Sequence, residues 1–182
     1  MALILDFFRR DKVLSGFCKF SLGQCYRAGI FLLGSFNVKL ILQRVSSAYV
    51  FVNEKEISSI RKGILVLFCA EKGDSKKQVD FFADKTLNLR MFPDVRGKMN
   101  FSCQDVGGSI LVVSQFTLAG DFSHGRRPGF DRAADPNIAR GLYEYFVEVL
   151  SQSNLNICKG RFGADMKVHM INDGPVTFLM ER

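Results

Sequence analysis

Beyond position 38 the chain switches between two hydrophobic periods. "KLILQRVSSAYVFV", Lys39 to Val52, alternates apolar and polar positions and is rich in β-formers, which predicts a strand or two. "NEKE" is a turn, and Lys62-Gly63 leads into "ILVLFCA", an unbroken apolar run of the kind a buried strand carries. In "SKKQVDFFADKTLNLRMF" the period lengthens. Val79, Phe82, Ala83, Thr86 and Leu87 fall on one stripe, so an amphipathic helix is expected, with Ser75 as its cap. Pro93 and Gly97 punctuate a loop, and "VGGSILVVSQFTL" turns into a central strand. "DPNIARGLYEYFVEVLSQS" predicts a second helix, with Asp135 as N-cap and Pro136 at the first position. Its expected apolar face is Ile138, Leu142, Tyr145, Phe146 and Val149. "ADMKVHMIN" alternates again, with Ala164, Met166, Val168 and Met170 on one side and Asp165, Lys167 and His169 on the other. "INDGPVTFLM" then reads as strand, turn and strand around Gly174-Pro175, with "VTFLM" closing the sheet. No internal repeat or low-complexity tract occurs. The expected class is α+β: one domain over residues 39–182, with a mostly β, barrel-like core and two amphipathic helices.

The first 38 residues carry no such period. They hold 22 apolar residues, and their longest charge-free stretch, Ala28 to Val38, is 11 residues long. A membrane-spanning helix needs roughly 20, so no span is expected. Asp6, Arg9, Arg10 and Lys12 interrupt the start of the apolar region, which makes a poor signal peptide. Basic residues outnumber acids five to two, as in a transit peptide. This stretch is expected to lie outside the fold, either as a presequence or as residues absent from the mature protein.

A length of 182 residues suits one domain with a real core. The net charge of +7 permits an anionic partner, but the charge is spread along the chain and equally fits a solvated basic surface. The five cysteines include no Cys-x-x-Cys pair, and Cys69 lies inside an apolar run. That favours a reducing compartment such as the cytoplasm over a disulfide framework. Two histidines, far apart in sequence, make a zinc site an unpromising reading, and no cofactor is expected.

Two stretches can carry chemistry. In "SQFTLAGDFSHGRRPGF", an apolar strand ends in Ser114, Gln115, Phe116 and Thr117, and strand ends are common site positions. Ser114 or Thr117 could act as a nucleophile given a base within reach, yet no Gly-x-Ser-x-Gly elbow is present and His124 is the one nearby histidine in sequence. Equally, these hydroxyls could satisfy neighbouring backbone groups. Arg126 and Arg127 form a guanidinium pair suited to phosphate, or else a solvated loop. The second stretch is Gly174-Pro175, where the most permissive backbone meets the most constrained one.

With both stretches in hand, residues 39–182 resemble the bacterial type of the D-aminoacyl-tRNA deacylase family. "SQFTL" and "NDGPVT" (Asn172 to Thr177) are similar to its two signature motifs in order and spacing, and "KLILQRVSSAYV", "RPGF" and "GRFGADMKV" fit the flanks. The resemblance implies a deacylase-type fold and hydrolysis of the ester joining a D-amino acid to the terminal adenosine of tRNA. It also implies removal of glycine mischarged on tRNA for alanine. A homodimer is implied, in which a cis Gly174-Pro175 peptide enters the partner's site and rejects L-amino acids. That site would be made by Ser114, Gln115, Phe116 and Thr117. Arg44 would support the Gly-Pro turn, Arg126 and Arg127 would contact tRNA, and the terminal 2′-hydroxyl of tRNA would assist catalysis. A Thr117-nucleophile esterase and a non-catalytic RNA-binding module are the competing readings. Gly129 departs from the family, which commonly has serine there. Val38 stands where the family has its initiator methionine, so translation starting at a GUG codon for position 38 is expected, with an organelle presequence as the alternative.

Overall fold

The computed structural model describes residues 38–181. The expectations for the preceding segment lie outside these residues.

Strand β1 (Lys39–Val52) is the spine of the sheet. The alternation read from its sequence buries Leu40, Leu42, Ala48 and Val50 completely. Its 14 residues are long enough to pair end to end with two strands on one side. Residues 39–45 pair antiparallel with β3 (Gly63–Cys69), and residues 48–52 pair antiparallel with β2 (Lys55–Ile60). The β1–β2 connection is the two-residue turn Asn53-Glu54, with φ values of 50° and 60°. Positive φ at both positions matches the right-handed twist of a hairpin. Strand β2 has no hydrophobic signature of its own, because among "KEISSI" only Ile60 is buried.

Strand β3 pairs parallel with β6 (Ser109–Ser114), and β6 pairs parallel with β7 (Asn156–Lys159). Parallel neighbours need crossover connections. Helices α1 (Lys76–Asn88) and α2 (Pro136–Ser151) lie in these two connections. Ser75 caps α1 in a capping box, its backbone N–H donating to the Gln78 side chain at 3.1 Å. Asp135 accepts from Asn137 N–H at 2.9 Å, with Pro136 opening α2. Both starts are as expected. A short ribbon, β4 (Phe92–Pro93) with β5 (Met99–Phe101), replaces the loop expected around Pro93 and Gly97. Finally, β8 (Lys167–Glu181) runs antiparallel along the other side of β1. Cys158 Sγ on β7 reaches Ser59 O on β2 at 3.6 Å, so the sheet curls into a nearly closed barrel. The class is the expected α+β fold with a barrel-like β core and two helices.

The buried face of α2 differs from its sequence reading. Leu142, Tyr143, Phe146 and Leu150 are buried, whereas Ile138 is 57% exposed. The stripe turns toward Tyr143 because that hydroxyl finds two acceptors inside, Val112 O at 2.9 Å and Gly160 O at 3.3 Å. A satisfied hydroxyl lets the whole ring go inside. Tyr145 instead meets the α1 surface, bonding Asp80 at 2.8 Å beneath the Lys76 ammonium.

"INDGPVTFLM" is corrected as well, because the turn does not reverse the chain. Both flanks pair with β1 in the same direction, Gln43 opposite Thr177 and Val45 opposite Asn172. Asp173, Gly174 and Pro175 form an outward bulge within one strand.

Replacing Tyr143 with Phe removes a buried donor: Val112 O keeps its bond from Gly160 N–H at 2.8 Å, while Gly160 O loses the hydroxyl. We expect a loss of about 1–3 kcal/mol, read as a lower midpoint with an unchanged slope in denaturant unfolding.

Candidate functional site

The site begins where β6 runs out. Gln115 N–H donates to Phe68 O at 2.7 Å, and the chain then turns into the 3-10 helix Phe116–Ala119. Leu118 N–H to Gln115 O at 3.3 Å and Gly120 N–H to Thr117 O at 3.1 Å close that turn. The geometry throws Phe116 outward, 60% exposed, where it meets Phe130 edge-on at 5.0 Å between centroids. The Gln115 side-chain amide donates to Thr117 Oγ1. Cys69 Sγ donates toward Phe116 O at 3.6 Å. Burial, helped by the nearby Glu71 charge, pushes this thiol up to about 11. Cys69 is therefore a protonated donor at neutral pH, not a nucleophile.

A second wall comes from residues 130–136, bound to the segment after β3 by Ala134 N–H to Ala70 O at 3.1 Å and Lys72 N–H to Arg132 O at 2.9 Å. Glu71 is 2% exposed and holds both walls. Its carboxylate lies 2.9 Å from Lys39 Nζ and 3.3 Å from Arg132 Nη2, and Lys39 also donates to Leu118 O at 3.5 Å. A buried carboxylate requires such partners. Between the walls opens a largely apolar pocket of about 770 Å³, lined by Phe68, Ala70, Phe116, Phe130, Phe162 and Met166, with Ser114 and Gln115 at its polar edge.

The structure thus gathers Ser114, Gln115 and Phe116 at one pocket, with Thr117 exposed next to them. It does not bring Gly174 and Pro175 there. Ser114 sits opposite Phe68 at one end of β3, whereas Arg44 sits opposite Ile64 near the other end. Four residues of strand separate these positions, about 13 Å at roughly 3.3 Å per residue. The Gly174-Pro175 peptide is cis and both residues are exposed. Arg44, 8% exposed, donates from Nε to Asp173 O at 2.8 Å and from Nη1 to Met91 O at 2.7 Å. Asn172 closes the base of the bulge by accepting from Val176 N–H at 2.7 Å. Gly174 has φ of +139°, and a Cβ there would lie 3.0 Å from Arg44 Nη2 and 2.7 Å from Val176 Cγ2. Glycine is required on both counts.

Arg126, Arg127 and His124 lie in an exposed loop pinned by the Asp121–Gly129 bonds of 2.8 and 2.9 Å, outside the pocket lining. His169 is exposed on β8, edge-on to Phe51 at 5.2 Å. Sequence reasoning missed the Glu71 tie and the Phe162 wall. The signal for the first was an acidic residue directly after an apolar strand, which has no meaning until Lys39 and Arg132 are placed beside it. Among the described residues, no cluster of three His, Cys, Asp or Glu side chains is placed to hold a metal, and no helix is long and apolar enough to cross a membrane.

The family model described as D-Tyr-tRNA(Tyr) deacylase matches residues 41–181. A D-aminoacyl-tRNA deacylase of Geotalea uraniireducens is 52% identical over 144 residues, covering 79% of this chain and 93% of that one. A solved structure titled c-Myc DNA Unwinding Element Binding Protein superposes with a TM-score of 0.75 at 41% identity, over 79% of this chain and 98% of that one. A probable eukaryotic D-amino acid tRNA deacylase superposes with a TM-score of 0.71 at 15% identity, over 80% of this chain and all of that one, and shares the fold.

Asp74, bonded to the Glu71 backbone, couples stability to pH. Burial, together with the Glu71 charge, raises Asp74 from the usual 3.8 to about 6, against the bond it accepts from Glu71 N–H. The folded chain therefore binds this proton more tightly than the unfolded chain. The resulting stability is present at low pH and is lost as pH rises through about 6. Asp74→Asn fixes the neutral form. Thermal melts should show a Tm gain over wild type that opens between about pH 4 and pH 7; a pH-independent difference refutes the assignment.

Proposed function

The chain belongs to the D-Tyr-tRNA(Tyr) deacylase family, and from that premise we propose that it hydrolyses the ester between a D-amino acid and the terminal adenosine of tRNA. The products are free tRNA and D-amino acid. Glycine attached to the tRNA for alanine is a further substrate, since it has no side chain to reject. The observation that carries the mechanism is the separation of the two motifs within one chain. The pocket at Ser114–Phe116 and the exposed Gly174-Pro175 bulge lie at opposite ends of β3, so a complete site takes its pocket from one copy and its bulge from another. A two-fold dimer builds two such sites at once.

Chirality is then selected by exclusion. D- and L-aminoacyl groups differ in where the side chain and the α-hydrogen point. Gripping varied side chains fails across many substrates, whereas a wall that collides with any L side chain works for all of them. Arg44 and Asn172 hold the bulge as that wall, and Gly174 lets its backbone approach the ligand closely.

The pocket supplies little acid–base chemistry. No histidine lines it, Cys69 stays protonated, and Thr117 Oγ1 is engaged by the Gln115 amide. The N–H groups of Phe116 and Thr117 open the 3-10 turn, ahead of any carbonyl within it, and are available to the ester oxyanion. The tRNA's own 2′-hydroxyl would orient the attacking water.

Three outcomes test this reading. D-tyrosyl-tRNA should be cleaved and L-tyrosyl-tRNA spared by about 100-fold or more, a ratio that about 2.7 kcal/mol of collision supplies; equal rates support a generic esterase. Thr117→Ala should keep appreciable deacylase activity, whereas complete loss in a folded dimer would establish the nucleophile reading. Gly174→Ala and Gln115→Ala variants, each weakly active alone, should recover about a quarter of wild-type activity when mixed and allowed to exchange subunits. Half the random dimers would then carry one intact site of two; no recovery despite exchange rejects the shared site.

A further inference from the structure

The β4–β5 ribbon has no role in the scheme above, and its composition is unusual for a solvated turn. Arg90, Arg96 and Lys98 are exposed along it, and Lys62 Nζ stands 5.8 Å above the Phe92 ring at its root. The two neighbouring carboxylates are engaged locally. Asp94 accepts from Arg96 N–H at 2.8 Å and Lys98 N–H at 3.0 Å, and Asp105 accepts from the Ser102 N–H at 2.8 Å and hydroxyl at 2.7 Å. Between the cations stand three exposed apolar side chains: Val95 fully exposed, Met99 50% and Phe101 40%. A two-stranded ribbon of this size is not stable alone. This one is rooted by buried Met91 and Phe92 and by the Arg44 bond to Met91 O at 2.7 Å.

That same guanidinium holds Asp173 O at 2.8 Å, so the ribbon's root and the Gly-Pro bulge share one anchor. Wherever the bulge docks, the ribbon stands beside it. We propose that the ribbon is an RNA-contacting arm acting in trans. When the bulge of one subunit closes the partner's pocket, Arg96, Lys98 and Lys62 meet phosphates of the acceptor end leaving that pocket. Met99 and Phe101 offer apolar surface to its unpaired bases. Interleaved cations and exposed apolar side chains are what single-stranded nucleic acid recognises, by phosphate neutralisation and stacking. This rests on the deacylase reading and on the shared site.

The test uses the full-length Arg96→Gln/Lys98→Gln double variant, since neither side chain forms an ion pair among the described residues. Two substrates separate the outcomes: D-tyrosyl-tRNA and a D-tyrosyl ester of adenosine alone. With tRNA, KM should rise roughly tenfold at constant kcat. The salt dependence of log(kcat/KM) should flatten by about 1.4, at roughly 0.7 per lost phosphate contact on a single strand. The adenosine ester should be cleaved at the wild-type rate. An unchanged KM for tRNA, an equal loss on both esters, or a shift to monomer in sedimentation would each overturn the proposal, the last by making the ribbon a subunit contact. A wild-type protein that cleaves neither ester removes the deacylase reading itself, and this proposal with it.

Discussion

A single buried guanidinium organises the far end of the sheet. Arg44 projects from the middle of β1 and binds two backbone carbonyls, one in the bulge of β8 and one at the root of the β4–β5 ribbon. Burying an arginine is tolerable only when its donors are satisfied. Here the acceptors come from segments 47 and 129 residues away in sequence, so satisfying the charge fixes long-range geometry. The bulge cannot relax outward without leaving a buried cation short of partners. Asn172 reinforces it from below by replacing the ladder bonds that the bulge interrupts.

At the other end, Glu71 plays the complementary part with opposite sign. It draws Lys39 and Arg132 together and so sets the spacing of the pocket's two walls. Between them the lining is mostly aromatic and aliphatic. Such a pocket can exclude water and orient an ester, but it has few groups able to move a proton. That division fits a reaction in which the substrate brings its own hydroxyl and the protein supplies position and rejection.

Much of the fold was legible from periodicity. The stripe of Val79, Phe82, Ala83 and Thr86, the Asp135-Pro136 helix start and the alternation of Lys39–Val52 are local signals, and local forces decide them. Where tertiary contacts decide, the sequence was mute. Tyr143 is inside because two carbonyls await its hydroxyl, and β2 is a strand because β1 is long enough to hold it. The pocket residues Ser114–Phe116 were visible as polar groups at a strand's end, but the wall opposite them, from Phe130 to Asp135, was not. The Gly-Pro turn was legible as stiff punctuation, yet its failure to reverse the chain depends on pairing across β1 that no short window contains.

That last feature governs which changes the chain can absorb over evolutionary time. Because β8 pairs with β1 on both sides of the bulge, the length from Asn172 to Thr177 is under tighter control than its composition. One added residue there would slide the C-terminal half of β8 by one position. Leu179, now 62% exposed, would face inward, while Phe178 and Met180 would face water. The Asp121–Gly129 loop, tied only at its base, has no such ladder downstream to derail. Insertions and deletions in descendants of this sequence should accumulate in that loop and spare the bulge, even where the residues within the bulge drift.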